Sequence, residues 1–200
     1  MFRNDAAKAQ AAAEREIAIC EEYMLPLLLS QGRFQLGWAL AAQGALGDGI
    51  ALMQQGLEAI SATGAEMGRP YFSALLAEAL AKAGRAKEGL AEIDRALAIA
   101  DRDQAYFQLS EIRRLKGALL LQLPGYDPDA VTACFRGAIA AASEQGAPIG
   151  ELRAAVSLAR LLLHKGRRSE ARQLLSDLRD RMRGMPDSAE LCEARALLAE

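Results

Sequence analysis

Few side chains in this 200-residue sequence have the types and spacing that catalysis needs. The single histidine, His164, stands beside Lys165, whereas a catalytic triad or a histidine-based metal site needs further partners. No GxSxG, HExxH or GxGxxG motif stands in a context that would give it a function. We therefore expect the protein not to be an enzyme, and we expect His164 to be an ordinary exposed or groove residue.

Paired carboxylates give no better candidate for acid–base or metal chemistry. Glu21 and Glu22 are neighbours in sequence, so on a helix they point in different directions. Asp127 and Asp129 flank Pro128, but no alternating set of oxygen ligands with a closing Glu follows them. A capping carboxylate before a helix-starting proline explains this pair better. The sequence thus predicts no metal ion and no cofactor.

Cysteine usage, apolar runs and charge limit the compartment and the class of partner. Cys20, Cys134 and Cys192 are scattered and form no CxxC pair, as is typical of reduced thiols in the cytosol. The N-terminus lacks a signal-peptide pattern, and the apolar run over 24–29 is interrupted by Pro26 and too short to span a bilayer. The 24 basic and 26 acidic residues give a net charge of −2, which argues against nucleic acid as the main partner. We expect a soluble, cytoplasmic protein that does not bind membranes.

Helical repeats must then position any binding residues. Apolar residues make up 52% of the chain and are mostly Ala and Leu, which favour helices, whereas aromatic residues make up only 5%. Residues 64–68 match residues 146–150 at an offset of 82, which also places Gly84 on Gly166. Half that offset, near 40, places Gly44 on Gly84. A unit of about 40 residues at constant spacing predicts stacked helical hairpins.

Each unit is predicted to contain two helices separated by a short break. The units lie near 26–62, 69–101, 105–144 and 149–183, with helices over 26–43 and 47–62, 69–83 and 87–101, 105–122 and 128–144, and 149–165 and 168–183. An extra N-terminal helix over 5–23 precedes them, and a closing helix over 188–199 follows. The prediction is one all-α domain over residues 1–200, a right-handed α-solenoid of about four hairpins with a C-terminal capping helix.

These units resemble the tetratricopeptide repeat (TPR) family. The residues that carry the resemblance are Leu36, Gly37 and Gly44 in the first unit, Gly117, Val131, Phe135 and Ala138 in the third, and Leu158, Ala159, Gly166, Ala171 and Leu175 in the fourth. They match, in degenerate form, a Leu-Gly or Leu-Ala pair, a turn glycine and an Ala-x-x-x-Phe-x-x-Ala set. The period near 40 exceeds the usual 34 and implies longer first helices and longer loops between units.

A second resemblance runs along nearly the whole chain. Residues 37–44, 114–121, 151–161 and 191–198 are similar to the C-terminal repeat region of bacterial multidomain signalling proteins. Those proteins carry a class III adenylate/guanylate cyclase domain or a transcriptional-regulator domain ahead of an ATPase module and the repeats. This chain has no cyclase domain and no GxxxxGK[ST] phosphate loop. The resemblance therefore implies the repeat module alone, without cyclase or ATPase activity.

Partner binding is expected on the inner surface of the solenoid, which the first helices of the hairpins line. The residues projected onto this surface are Phe34, Trp38, Tyr71, Glu78, Glu111, Arg114, Arg153, Arg160 and His164. Arg153 and Arg160 are seven residues apart and therefore share one helical face. Aromatic residues at one end and arginines at the other would suit a protein or peptide with apolar and acidic anchors.

In the alternative interpretation these side chains only hold the fold together. Trp38 then packs against the N-terminal helix, and Arg114 and Arg160 pair with Glu78 and Glu111 across neighbouring units.

Four functions remain open at this point. The first is a non-catalytic protein-interaction module, the regulatory or sensor region of a bacterial signalling protein. The second is a small-molecule or peptide sensor that binds its ligand in the concave groove. The third is a homodimer formed through an exposed terminal helix. The fourth, an enzyme, has no motif to support it.

Overall fold

The computed structural model describes residues 5–64, 68–103, 108–181 and 188–199, and the regular structure in these ranges is helical throughout. Ten α-helices follow one another along the described chain. They are α1 (Ala6–Glu22), α2 (Pro26–Ala42), α3 (Leu46–Ala62), α4 (Arg69–Lys82), α5 (Ala86–Asp103), α6 (Leu109–Leu120), α7 (Pro128–Glu144), α8 (Pro148–His164), α9 (Arg168–Arg181) and α10 (Ala189–Ala199). The predicted all-α class is confirmed.

The helices begin and end close to the predicted positions, because local chemistry marks their termini. Prolines stand in the first turn of α2 and α7, where their missing N–H costs no hydrogen bond. The Asp127 carboxylate caps α7 by accepting a hydrogen bond from the backbone N–H of Asp129 at 2.9 Å. The predicted start at residue 105 and the predicted end at residue 183 lie outside the described residues.

The chain divides into two compact units, unit 1 (Met1–Ala105) and unit 2 (Tyr106–Glu200). In unit 1, α2 pairs with α3 and α4 pairs with α5, while α1 lies against α2 and α3 lies against α4. In unit 2, α6 pairs with α7, α8 packs on α7 and α9, and α10 lies against α8 and α9. Each unit is thus built from helices that pack in successive pairs. That the chain forms one domain stays a prediction.

The core of unit 1 forms where α2 and α3 cross at short range. Met53 is fully buried there, and Ile50 is almost so. A Cβ atom on Gly37 would lie 2.6 Å from the backbone oxygen of Gly49, and a Cβ atom on Gly49 would lie 2.6 Å from that of Gly37. Only glycine allows the two backbones to approach this closely. The pair therefore lets apolar side chains on both sides of the crossing interlock.

The core of unit 2 fits an aromatic ring against a glycine. Phe135 of α7 is 1% exposed and packs with Val131, Leu152 and Leu175. A Cβ atom on Gly117 of α6 would lie 2.6 Å from Cε1 of Phe135. The glycine in the first helix and the aromatic residue in the second helix are thus one packing device, as the sequence pattern suggested.

The turns between helices repeat one backbone conformation. A residue with positive φ follows the end of the preceding helix, and the next residue donates its N–H to a carbonyl oxygen in the last turn of that helix. Glycines fill this place at Gly44, Gly84, Gly146 and Gly166. Met24 fills it between α1 and α2 with a φ of 52°, and the N–H of Leu25 donates to the Cys20 carbonyl oxygen at 2.9 Å. The side chain makes this conformation strained for Met24.

Candidate functional site

The first helices of successive hairpins lie side by side in unit 2. Helix α8 contacts both α6 and α10, so the polar residues of these three helices can meet. Glu111 and Arg114 come from α6, and Arg153 comes from α8. All three were predicted to belong to the binding surface, and the structure brings them together.

Arg153 is the centre of this group, which we call the α8 ion network (Glu111, Arg114, Arg153, Glu190). Its Nη2 lies 2.6 Å from Oε1 of Glu190 on α10, and its Nη1 lies 3.7 Å from Oε2 of Glu111 on α6. Arg114 forms a bidentate pair with Glu111, with Nη2 at 2.7 Å and Nε at 3.0 Å. Two arginines and two carboxylates thus alternate across three helices and neutralise one another.

The pKa shifts follow from this arrangement. Burial alone would raise the pKa of the Glu111 carboxyl, but hydrogen bonds and charge from Arg114 and Arg153 outweigh burial and hold its pKa below the ordinary value. The hydrogen bond from Arg153 lowers the pKa of Glu190. Burial would lower the pKa of Arg153, but Glu190 and Glu111 raise it. Glu111, Glu190 and Arg153 therefore stay charged over an extended pH range.

Arg160 and His164 continue the same face of α8 toward its C-terminus. Arg160 forms an ion pair with Glu193 of α10, and its side chain is 65% exposed. His164 is exposed in the last turn of α8. Arg153, Arg160 and His164 lie seven and four residues apart, so they follow one line along the helix. Arg160 and His164 are exposed to solvent, whereas Arg153 is paired with the carboxylates of Glu111 and Glu190.

The alternative pairing that the sequence suggested is only partly correct. Arg114 does pair with Glu111, but on its own helix three residues away. Arg160 pairs with Glu193 of the closing helix instead of with an acidic residue of an earlier unit. Glu78 pairs with Lys82 one turn further along α4, at 2.9 Å. Local i, i+3 and i, i+4 partners thus replace two of the predicted longer-range ones because their side chains are already neighbours.

The predicted residues of unit 1 separate into core and surface. Phe34 is 1% exposed, and its ring meets that of Phe72 edge-on with centroids 4.8 Å apart. Its expected place on an open groove is therefore corrected: Phe34 belongs to the core of α2, α3 and α4. Trp38, one turn further along α2, is half-buried and packs against the same cluster. An aromatic residue on a first helix fills the space between hairpins when small residues surround it.

Tyr71 and Glu78 share one face of α4, at a spacing of seven residues. Both side chains are half-buried, and the Tyr71 ring lies 5.9 Å from the Phe72 ring. Burial raises the pKa of the Tyr71 hydroxyl, and the negative charge of Glu78 raises it further. The hydroxyl therefore stays protonated and can act as a hydrogen-bond donor on this face.

A cavity of about 250 Å³ opens in unit 1 between α3, α4 and α5. Its charged lining is Glu58, Arg69, Glu92 and Arg95. Glu92 is tied to Arg95 by an ion pair and accepts a hydrogen bond from the Ser73 hydroxyl at 3.4 Å. None of its lining residues is among those predicted to form the binding surface, although α4 also carries Tyr71 and Glu78. Among the described residues, no cluster of His, Cys, Asp or Glu is arranged to hold a metal ion, and no described helix has the length and apolar character to cross a membrane.

Solved structures with the same architecture come from Podosopora anserina. One is a point variant of a protein with nearly identical TPR-like repeats of the kinesin light chain type, with a TM-score of 0.68 over 88% of this chain and 86% of that one, at 17% identity. The second, without the substitution, has a TM-score of 0.63 over 91% and 90% of the two chains, also at 17% identity. This chain has a TPR-like fold. No family model matches the sequence.

The TPR-like fold accounts for two residues that sequence reasoning missed. Glu190 and Glu193 lie on α10, which was taken only as a closing helix. In a TPR-like arrangement a helix that follows a complete hairpin takes the place of the next first helix, so its polar face continues the row of α6 and α8. The acidic residues at positions 190 and 193 are the sequence signal for this continuation of the row. Projecting α10 onto the inner surface, as was done for the first helices, would have placed them there.

The chain is also similar in sequence to an uncharacterized protein of Rhizobium meliloti (strain 1021). It is 27% identical over 166 residues, which cover 83% of this chain. The chain spans only 16% of the length of that relative. The TPR-like repeats of this chain thus correspond to a small part of a much longer bacterial protein.

Proposed function

We propose that this chain is a non-catalytic protein-interaction module, and that it serves as the regulatory or sensor repeat region of a bacterial signalling protein. The observation that carries the proposal is the row of charged residues on the first helices of a TPR-like fold. Catalytic function would need a converging set of reactive groups, whereas this row offers paired charges along a surface. The step from fold to interaction rests on analogy of architecture, so the site has to be tested directly.

The α8 ion network favours one part of the row for binding. Arg153 and Arg114 already have carboxylate partners, and a ligand carboxylate would have to displace Glu111 or Glu190. Arg160 is paired with Glu193, but its side chain is two-thirds exposed, and His164 is exposed. A partner can therefore reach these two side chains while the partly buried α8 ion network stays in place. We therefore place the first contact of an acidic protein segment at Arg160 and His164.

The bacterial signalling role is the finer part of the proposal. The similarity to a segment of a longer Rhizobium meliloti protein supports a repeat region inside a multidomain parent. The resemblance to repeat regions that follow cyclase or transcriptional-regulator domains supports a regulatory task. In this setting a partner binds the repeats, and its binding alters the behaviour of the rest of the multidomain parent protein. We propose the cytoplasm as the compartment.

Affinity capture with matched variants tests the interaction proposal. The immobilised protein, an Arg160→Glu variant and an Arg172→Glu variant would be exposed to one bacterial lysate. Arg172 is an exposed residue of α9, a second helix, so it controls for the change of net charge. We expect the unchanged chain and the Arg172→Glu variant to capture the same partner protein. The Arg160→Glu variant should fail to capture it. Equal capture by all three would place binding elsewhere.

A small-molecule sensor is the second candidate, and the cavity in unit 1 favours it. The cavity is slightly smaller than most ligand pockets, which start at about 300 Å³, and its mixed charges would suit a small zwitterionic or polar ligand. A ligand that binds only the folded state raises the melting temperature. Thermal-shift measurements against metabolite pools, with Arg95→Ala as the matched variant, would show a stabilisation that the variant loses. No shift with any pool would remove this candidate.

A further inference from the structure

Helix α1 leaves one complete face uncovered. Its inward face is closed by the buried Ala13 and Cys20. The opposite face is exposed, and it consists of Lys8, Ala11, Ala12, Arg15, Ala18, Ile19 and Glu22. These residues follow the three- and four-residue spacing of one helical stripe. The small alanines would let another helix approach α1 at the short end of the usual 8–10 Å range, about 8 Å.

Large apolar side chains are also exposed at the end of α1, in the following turn and at the start of α2. Ile19 is 54% exposed, Met24 is 85% exposed, and Tyr23, Leu25 and Leu28 are also exposed. They form the only group of large exposed apolar residues among the described residues of unit 1. Contiguous apolar patches on a surface mark interaction sites more often than scattered single residues do.

The turn itself adds a second observation. Met24 has a φ of 52° at a place where the other helical turns of this kind use glycine. This strain is unfavourable and brings no burial in the isolated chain, since Met24 is almost fully exposed. A bound partner would compensate the strain by covering the methionine side chain.

The charges on the stripe have a specific symmetry. Arg15 and Glu22 stand on either side of Ala18 and Ile19, and neither forms an ion pair with a described residue. When two copies of α1 lie antiparallel with their twofold axis between residues 18 and 19, residue 15 of each copy faces residue 22 of the other. Arg15 then meets Glu22 of the second copy twice, and Ile19 packs on Ala18 at the centre.

We propose that α1 and the following turn form a docking surface for a second copy of this chain. In this antiparallel pair, Tyr23, Met24 and Leu25 of one copy cover Ala11 and Ala12 of the other. The twofold arrangement pairs Arg15 with Glu22, packs Ile19 on Ala18 and leaves no like charges opposed. A partner of different sequence would have no reason to need this internal charge symmetry, which is why a second copy is the occupant that the stripe favours.

Charge exchange with sedimentation equilibrium tests the pairing. The unchanged protein would be measured from micromolar to millimolar concentration, followed by Arg15→Glu and Glu22→Arg alone and then by an equimolar mixture of these two variants. Arg172→Glu is the control for a charge change outside the stripe. Circular dichroism would confirm that each variant keeps its helices, as expected for exposed positions.

The unchanged protein and the Arg172→Glu variant should form dimers with the same dissociation constant. Each single variant should weaken the dimer by about tenfold or more, because two like-charge contacts replace two opposite-charge contacts. The mixture should recover dimers, since the two carboxylates of an Arg15→Glu chain then face the two guanidinium groups of a Glu22→Arg chain. A monomeric unchanged protein at every concentration would overturn the proposal, as would single variants that dimerise normally or a mixture that shows no recovery.

Discussion

Arg153 of α8 and Glu190 of α10 are joined by a hydrogen-bonded ion pair of 2.6 Å, which connects the last complete hairpin of unit 2 to the helix after it. A second hydrogen bond from Nε of Arg153 reaches the same carboxylate oxygen at 3.2 Å. The pair is partly buried, so water screens it less than it screens the pairs on the surface. It gives α10 a polar attachment beside the apolar contacts of Leu191 and Ala194.

Replacing Glu190 should weaken unit 2 in a pH-dependent way. The Glu190→Gln variant should lower the free energy of unfolding by about 1 kcal/mol at neutral pH, as for a partly exposed ion pair. Because the folded-state pKa of Glu190 is lowered, its contribution is complete above about pH 5 and is lost as the pH falls through and below about 4. Urea unfolding at several pH values would show the two proteins converge in acid. A difference that grows in acid would contradict this account.

Gly49 should tolerate no side chain, although it stands in a helix. The Gly49→Ala variant should lower the free energy of unfolding by about 2 kcal/mol, because its Cβ would meet the backbone of α2. Gly47→Ala is the matched control in the same helix, where a Cβ meets nothing within 4 Å. Because alanine has a higher helix propensity than glycine, the Gly47→Ala substitution should stabilise the protein by up to about 1 kcal/mol. Thermal unfolding compares the two, and equal effects would show that the close crossing of α2 and α3 is wrong.

Replacing Met24 with glycine should stabilise the isolated chain. The Met24→Gly variant should raise the free energy of unfolding by up to about 1 kcal/mol, since glycine adopts the positive φ without strain and little buried surface is lost. Gly84→Ala, at a φ of 73°, should do the reverse. Chemical denaturation measured at a concentration below dimer formation separates this effect from self-association. A loss of stability in Met24→Gly would mean that the methionine side chain contributes to the fold.

The cysteines should react with thiol reagents in an order set by burial. Cys20 is 3% exposed, and burial, with a further effect of Glu16, raises its thiol pKa, so little thiolate forms at neutral pH. Cys192 is exposed on α10. Iodoacetamide followed by mass spectrometry should label Cys192 first and Cys20 only after denaturation. Labelling of Cys20 at the same rate as Cys192 in the native protein would show that α1 detaches readily.

The sequence predicted the helices well because their termini carry strong local signals. Pro26, Pro128 and the turn glycines Gly84 and Gly166 mark boundaries through backbone chemistry that does not depend on the rest of the fold. The sequence pattern also correctly predicted that Gly117 and Phe135 pack together, because the small and the large residue must meet wherever two such helices pair. The φ of Met24 had no such signal, since methionine normally avoids this conformation.

The candidate site was harder to predict because helical projection gives direction but not depth. Phe34 projects from a first helix, yet the packing of α3 and α4 around it turns that direction into the core. Arg153 and Arg160 share one face, but only the position of α10 decides that both have acidic partners. Which partner a long side chain selects depends on three-dimensional neighbours that a linear sequence does not contain.

Photo-cross-linking in bacterial cells most directly tests the central claim, that Arg160 and His164 bind a protein. These two residues are the exposed end of the α8 row (Arg153, Arg160 and His164). A photo-reactive phenylalanine analogue would replace His164 on this row or Arg172 on α9, and illumination would trap whatever protein lies within reach. We predict a cross-linked protein with the analogue at position 164 that is absent with the analogue at position 172. Identical products at both positions, or products at position 172 alone, would contradict the assignment of the α8 row as the partner-binding surface.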